Sequence, residues 1–217
     1  FGVDVTERGG RTSESLEIIR RLWEGESLTF KGKYYDIQNV RITPGPIQKP
    51  RPPLWAGGFT PPAVKRAAHL TDGYCGIAPN SLKGSYDLFL SECHKLDKPP
   101  ARMMTAGGLF WIIPAEDPEK SWAEAADHVI YQIAAYCKWT EAAGEKMFPA
   151  PRTHEELRET GLLQVVDVDT CIRLIRDYIN EMRLPHFYTW TVPPGLPVNW
   201  AQSHLELFAN KVIPAFR

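Results

Sequence analysis

No charge excess, no long apolar run and no paired cysteines mark this chain of 217 residues. With a formal net charge of −1, it lacks the electrostatic footprint that would draw it to nucleic acid or to an anionic membrane. No apolar stretch reaches the ~20 residues that a membrane-spanning helix needs. The opening residues, FGVDVTERGG, carry no basic segment followed by an apolar one, so nothing reads as a secretory signal. Cys75, Cys93, Cys137 and Cys171 are widely spaced and form no CxxC pair. That spacing argues against a structural zinc site or a disulfide framework and fits a reducing cytoplasm. The six histidines form neither HxH nor HExxH, so a metal-dependent hydrolase lacks its ligands. No GxxxxGK[ST] run is present, and no serine sits in a nucleophile elbow.

What the chain does hold is ordinary globular material, 43% hydrophobic and 24% charged, arranged as alternating strands and helices. A first helix is expected over Glu7 to Glu24, where Leu16, Ile19, Leu22 and Trp23 recur at steps of three and four. Gly25 is placed to end it. SLTFKGKYYDI, residues 27–37, reads as a hairpin about Lys31-Gly32-Lys33. PGPIQKPRPP, residues 44–53, holds five prolines and is expected to cross the surface as an extended strap. Strands are then expected near Leu54–Ala56, near Gly73–Ile77 and within Arg102–Ile113. Helices follow each of them near Pro61–Leu70, Ser81–Leu96 and Pro118–Ala143. Thr153-His154-Glu155-Glu156 has capping-box spacing and is expected to open a short helix. A helix over Thr170–Met182, a strand over HFYTWTV (186–192) and a helix over Asn199–Lys211 complete the pattern.

Such alternation is the signature of a parallel sheet with helices outside. Four strand–helix units fall short of the eight in a (β/α)₈ barrel of typically ~250 residues. Half a barrel and a self-contained open sheet of four strands are both compatible with the count.

One junction stands out. In PLWAGGFTPPAVKRAA, Pro53 to Ala68, an apolar run stops at Gly57 and Gly58 just where strand passes to helix. In parallel α/β folds ligands sit in such loops, beyond the carboxyl ends of the strands. Glycine lets the backbone approach a ligand closely. Thr60 is a good N-cap, and Pro61 falls at the first helical position. A helix start aimed at this loop would offer free N–H groups and about half a positive charge, which suits a phosphate. The plainer alternative is a tight turn with a cap.

The successions RGGRTSESLEIIRRLWEGESLTFKGKYYDI and PGPIQKPRPPLWAGGFTPPAVKRAAHLTDGY resemble the luciferase-like monooxygenase family. The match is specific over residues 8–76 and looser beyond, although Val168 to Arg217 resembles the family's closing unit. Thr71-Asp72-Gly73-Tyr74 stands where the family more often has Ala-Asp-Gly-Trp. The resemblance implies an α/β fold, the C-terminal half of a (β/α)₈ barrel of the bacterial-luciferase type. It treats residues 1–217 as one domain that starts after the family's fourth strand. It implies a flavin- or deazaflavin-dependent oxidoreductase or monooxygenase, using FMN or a deazaflavin coenzyme on a small organic substrate. A flavin reductase is then a possible partner, and a homo-oligomer the expected assembly. By residue matching, Ala56, Gly57, Gly58, Phe59 and Thr60 would line the coenzyme's phosphate or ribityl tail. A non-catalytic flavin-binding relative, or a barrel fragment without activity, is the alternative.

Other residues carry weaker signals. Trp111, in GGLFWII, is placed either in the core or facing a ring or substrate, and Gly107 and Gly108 mark a bulge or close approach. His186 falls at the start of its strand, the wrong end for a general base, while Trp190 and Thr191 lie nearer the exit. Lys65, Arg66 and His69 read as a solvated or packing face. Arg8 and Arg11, at the start of the first helix, read as loop caps or contacts for an acidic tail. Cys75 reads as a small buried apolar residue.

Overall fold

A computed structural model describes residues 2–58, 60–76, 79–99, 102–105, 111–142, 149–182, 184 and 186–217. Two compact units divide the chain, Phe1–Met104 and Thr105–Arg217.

In the first unit, helix α1 (Arg8–Trp23) buries Leu16, Ile18 and Leu22. The buried face takes in Ile18 rather than the expected Ile19, because Ile18 and Leu22 close on Leu28 of the following strand. That strand, β1 (Leu28–Lys31), pairs antiparallel with β2 (Asp36–Val40), as the hairpin reading required. Glu14 on α1 fastens the turn. Its carboxylate accepts the backbone N–H groups of Lys33, Tyr34 and Tyr35 at 2.8, 3.0 and 3.1 Å. Charge-assisted bonds of this kind are about twice as strong as neutral ones. The proline strap after Ile42 is largely exposed and forms neither helix nor strand.

β3 (Trp55–Gly57) lies parallel to β4 (Gly73–Gly76), with Gly57 opposite Cys75. Between them runs α2 (Pro61–Leu70), which buries Val64, Ala67 and Ala68. α3 (Pro79–Lys95) and β5 (Arg102–Thr105) follow, and β5 lies next to β4 in the sheet. Two charged residues organise the ends of this βαβ unit. Asp72 accepts Arg51 and the Leu54 N–H, which ties the strap to the entrance of β3. Lys98 donates to the carbonyls of Ala68, His69 and Thr71, capping α2 where its dipole favours a cation.

In the second unit, β6 (Trp111–Pro114) is buried at all four positions and pairs in parallel with β7 (Leu163–Val166). The long strand expected within Arg102–Ile113 thus comprises β5 and β6, and Gly107 and Gly108 lie outside the described residues. The sequence reading missed β7. α4 (Pro118–Ala142) packs Trp122, Ala125, Ala126, Val129 and Ile133 against the pair. α5 (His154–Thr160) opens on Thr153, whose side chain accepts the Glu156 N–H, and closes on left-handed Gly161.

α6 (Val168–Met182) buries Cys171 and Ile175 beside Ile112 and Val212. Burial pushes the Cys171 thiol up to about 12, and the charge of Asp167 adds to this. The expected strand over 186–192 shrinks to β8 (His186–Phe187) plus one parallel bridge from Trp190 to Trp111. α7 (Val198–Leu207) passes directly into a π-helical turn, Phe208–Val212.

Candidate functional site

The β3–α2 corner takes its shape from its own backbone. A Cβ on Gly57 would stand 3.0 Å from the Cys75 carbonyl oxygen of the neighbouring strand. Gly58 has φ +134°, and its Cβ would meet that of Ala63 at 2.6 Å. Both glycines are therefore required by strand pairing and by the entry to α2. The sequence left ligand approach and a tight turn both open, and the turn alone accounts for their missing side chains.

Thr60 is the N-cap residue of α2, in extended conformation, but its side chain makes no capping bond. Pro61 and Pro62 contribute no N–H, and those of Ala63 and Val64 both donate to the Thr60 carbonyl, at 2.9 and 3.1 Å. The expected row of free helical donors is therefore absent. What remains is the exposed Thr60, with its hydroxyl, and the N–H groups of Gly58 and Thr60. Neither of those two N–H groups donates to another described residue. The positive end of the α2 dipole lies behind them. Ala56 is half-buried on β3, and Phe59 lies outside the described residues.

Tyr74 is the contributor that sequence reasoning missed. Its hydroxyl donates to the Gly58 carbonyl at 2.7 Å, and its ring stacks on Phe89 at 5.6 Å. Burial pushes the phenol pKa up, so the hydroxyl keeps its proton. The signal was present as the tyrosine of Thr-Asp-Gly-Tyr, where tryptophan is commoner.

The other candidates mostly take structural places. Trp111 is 3% exposed and belongs to the core of the second unit, in edge contact with Trp190 at 5.4 Å. It begins β6 rather than ending a strand. His186 is exposed at the start of β8, as read. Thr191 is half-buried beyond the Trp190 bridge. Arg66 donates to Ser13 at 3.0 Å, turned toward α1, and Lys65 is exposed. Arg11 pairs with Glu7 and lies over the Tyr34 ring, while Arg8 is exposed. His69 approaches Glu92 at 3.4 Å. Cys75 is half-buried rather than buried. Among the described residues no three His, Cys, Asp or Glu side chains gather to hold a metal ion, and no helix is long and apolar enough to cross a membrane.

Comparison with known proteins places this architecture. The family model of the luciferase-like monooxygenases matches residues 1–179, and the chain belongs to that family. Among solved structures it is similar to an F420-dependent secondary alcohol dehydrogenase in complex with an F420–acetone adduct. The TM-score is 0.69 at 22% identity, over 100% of this chain and 64% of that one. It is similar to a monooxygenase from Streptomyces bottropensis, with a TM-score of 0.74, 17% identity and coverage of 99% and 64%. A third likeness is to the oxygenating constituent of 3,6-diketocamphane monooxygenase from Pseudomonas putida, in complex with FMN. There the TM-score is 0.66 at 18% identity, covering 93% of this chain and 62% of that one. The fold is that of the luciferase-like barrels, and the chain spans less than two thirds of the length of these structures.

Proposed function

We propose that this member of the luciferase-like monooxygenase family serves a flavin- or deazaflavin-dependent oxidoreductase, and that the β3–α2 corner holds the anionic tail of the coenzyme. The N–H groups of Gly58 and Thr60, which donate to no other described residue, carry the reading, beside an exposed threonine hydroxyl and a helix dipole. Three donors and a partial positive charge match a phosphate. Tyr74 fixes the Gly58 carbonyl, so the loop is set before ligand arrives and less ordering entropy is lost on binding. The similarity to proteins described with F420 and with FMN supports a coenzyme of either kind.

Ala56, Gly57, Gly58 and Thr60 include no group that titrates near neutrality. The corner is therefore a place for holding, not for moving protons. When bound, the coenzyme would supply the redox chemistry, toward a small organic substrate. The same fact supports the second reading, a flavin-binding relative without catalysis, because nothing at the corner itself distinguishes binder from enzyme.

Thr60→Asp tests the placement by setting a fixed negative charge where the phosphate would lie. FMN affinity, followed by flavin fluorescence on titration, is expected to fall about tenfold or more, a change of about 1.4 kcal/mol. Unchanged affinity would remove the corner from the site.

A further inference from the structure

We infer that the second unit carries a separate binding site for a small primary ammonium compound, in the cavity between the start of α4 and the α7–π-turn segment. The cavity measures about 500 Å³.

Two nearly buried polar side chains face it without full partners. His204 is 5% exposed and Ser121 is 8% exposed, and both line the cavity. The Nδ1 of His204 lies 3.0 Å from the carbonyl oxygen of Pro114, the last residue of β6. A carbonyl only accepts, so Nδ1 carries the proton and donates, and in the neutral ring Nε2 is left as a bare acceptor. No described residue donates to it. The Ser121 hydroxyl likewise bonds to no described residue. Both atoms open onto the cavity rather than being sealed in protein, so whatever fills it meets two unused acceptors on nearly buried side chains.

The chemistry of the walls narrows the choice. Trp200 donates its Nε1–H to one oxygen of Glu124 at 2.9 Å, which orients that carboxylate and leaves its second oxygen available. The Trp200 ring meets the His204 ring at 4.0 Å between centroids. Glu116, Asp117, Glu124 and Glu206 set four carboxylates against the ammonium groups of Lys120 and Lys211. The surplus is negative. An R–NH₃⁺ group has three donors and no acceptor. Three acceptors suit it: His204 Nε2, the Ser121 oxygen and the free Glu124 oxygen. A neutral hydroxyl has one donor, and an anion none, so neither uses this set.

The backbone points the same way. Asn210 and Lys211 reach the cavity from the π-helical turn at Phe208–Val212. Such turns interrupt α-helices at a cost and occur frequently at functional sites. Nothing here rests on the coenzyme corner, which lies in the other unit.

The test is a titration of the 217-residue chain with n-propylammonium chloride, with n-propanol as neutral counterpart and glycine as zwitterion. The readouts are the NMR signals of the Trp200 indole N–H and the His204 ring. Saturable shifts are expected with propylammonium, with a dissociation constant on the order of millimolar for so small a probe. Glu124→Gln is expected to weaken binding about tenfold, and Ser121→Ala severalfold, with far-UV circular dichroism unchanged. Stronger binding of glycine than of propylammonium would support the ammonium site and identify an amino acid as its source. Equal binding of n-propanol, shifts that sodium chloride alone reproduces, or wild-type affinity in a folded Glu124→Gln chain would each overturn the proposal. If Glu124→Gln fails to fold, the contrast between propylammonium and n-propanol on the wild-type chain decides.

Discussion

At the scale of single residues, two positions in the first unit respond to substitution for different physical reasons. Gly58 combines positive φ with a neighbour, Ala63, standing where its Cβ would go. Gly58→Ala is expected to cost about 1–3 kcal/mol, read as a lowered melting temperature without ligand. Asp72 instead acts through charge. Burial alone would raise its carboxyl pKa, but the Arg51 guanidinium and the Leu54 N–H outweigh burial and hold it below the usual carboxylate range. A carboxylate depressed in the folded state adds stability above its unfolded pKa of ~3.9 and loses it as pH falls through the folded value. Acid titration of the wild-type chain is therefore expected to show stability falling below about pH 4. In Asp72→Asn that slope flattens, while stability at pH 7 is lower, because the amide cannot accept Arg51 as an anion does. A variant with the wild-type acid slope would show that the pair is not the source.

At the scale of elements, α5 shows how little chain a helix needs when both ends are fixed. It has seven residues, too few to persist alone in water. Thr153 caps one end and Gly161 the other, while Leu157 is fully buried between them. Glu156 reaches back to the Arg152 N–H at 2.6 Å, one residue before the N–H that a standard capping box uses. Thr153→Ala is expected to cost about 1 kcal/mol. Denaturant titration would read it as a lower midpoint with unchanged slope, and an unchanged midpoint would mean that burial of Leu157 alone holds the helix. This element was legible because capping is a local matter, written within four consecutive residues. β7 was not. LQVV follows Gly161 closely and runs straight into α6, and only its pairing with β6 makes it a strand. The expected strand over 186–192 is shorter than read for the converse reason. HFYTWTV has strong β preference, but that preference reports fit against a partner, and among the described residues only His186–Phe187 form a strand, with one further bridge from Trp190 to Trp111.

At the scale of the whole molecule, the question is what the chain does with its uncovered apolar surface. Tyr136 and Trp139 are exposed side by side on α4, their rings 5.3 Å apart, with Trp139 at 64% and nearby Tyr131 at 70% exposure. In the first unit Ile47 is 97% exposed. Contiguous exposed aromatics and open strand edges favour association. Light scattering on the 217-residue chain is expected to report a mass above that of a monomer, falling with dilution. A concentration-independent monomer would refute this.

By itself the sequence determined most helix positions, the hairpin and the cap of α5, because each is set by spacing within a few residues; the fold class showed in the alternation of strands and helices, and the family in a resemblance over residues 8–76. It also located the β3–α2 corner. Only the tertiary structure decided what that corner offers. The glycines answer to Cys75 and Ala63, the two prolines and the Thr60 carbonyl remove the expected helical donors, and Tyr74 holds the loop from a neighbouring strand. It decided equally that Ser121 and His204, 83 positions apart, share one cavity. Local order follows from neighbours along the chain. Which donors and acceptors are left over depends on partners distant in sequence, and those leftovers are what a ligand meets.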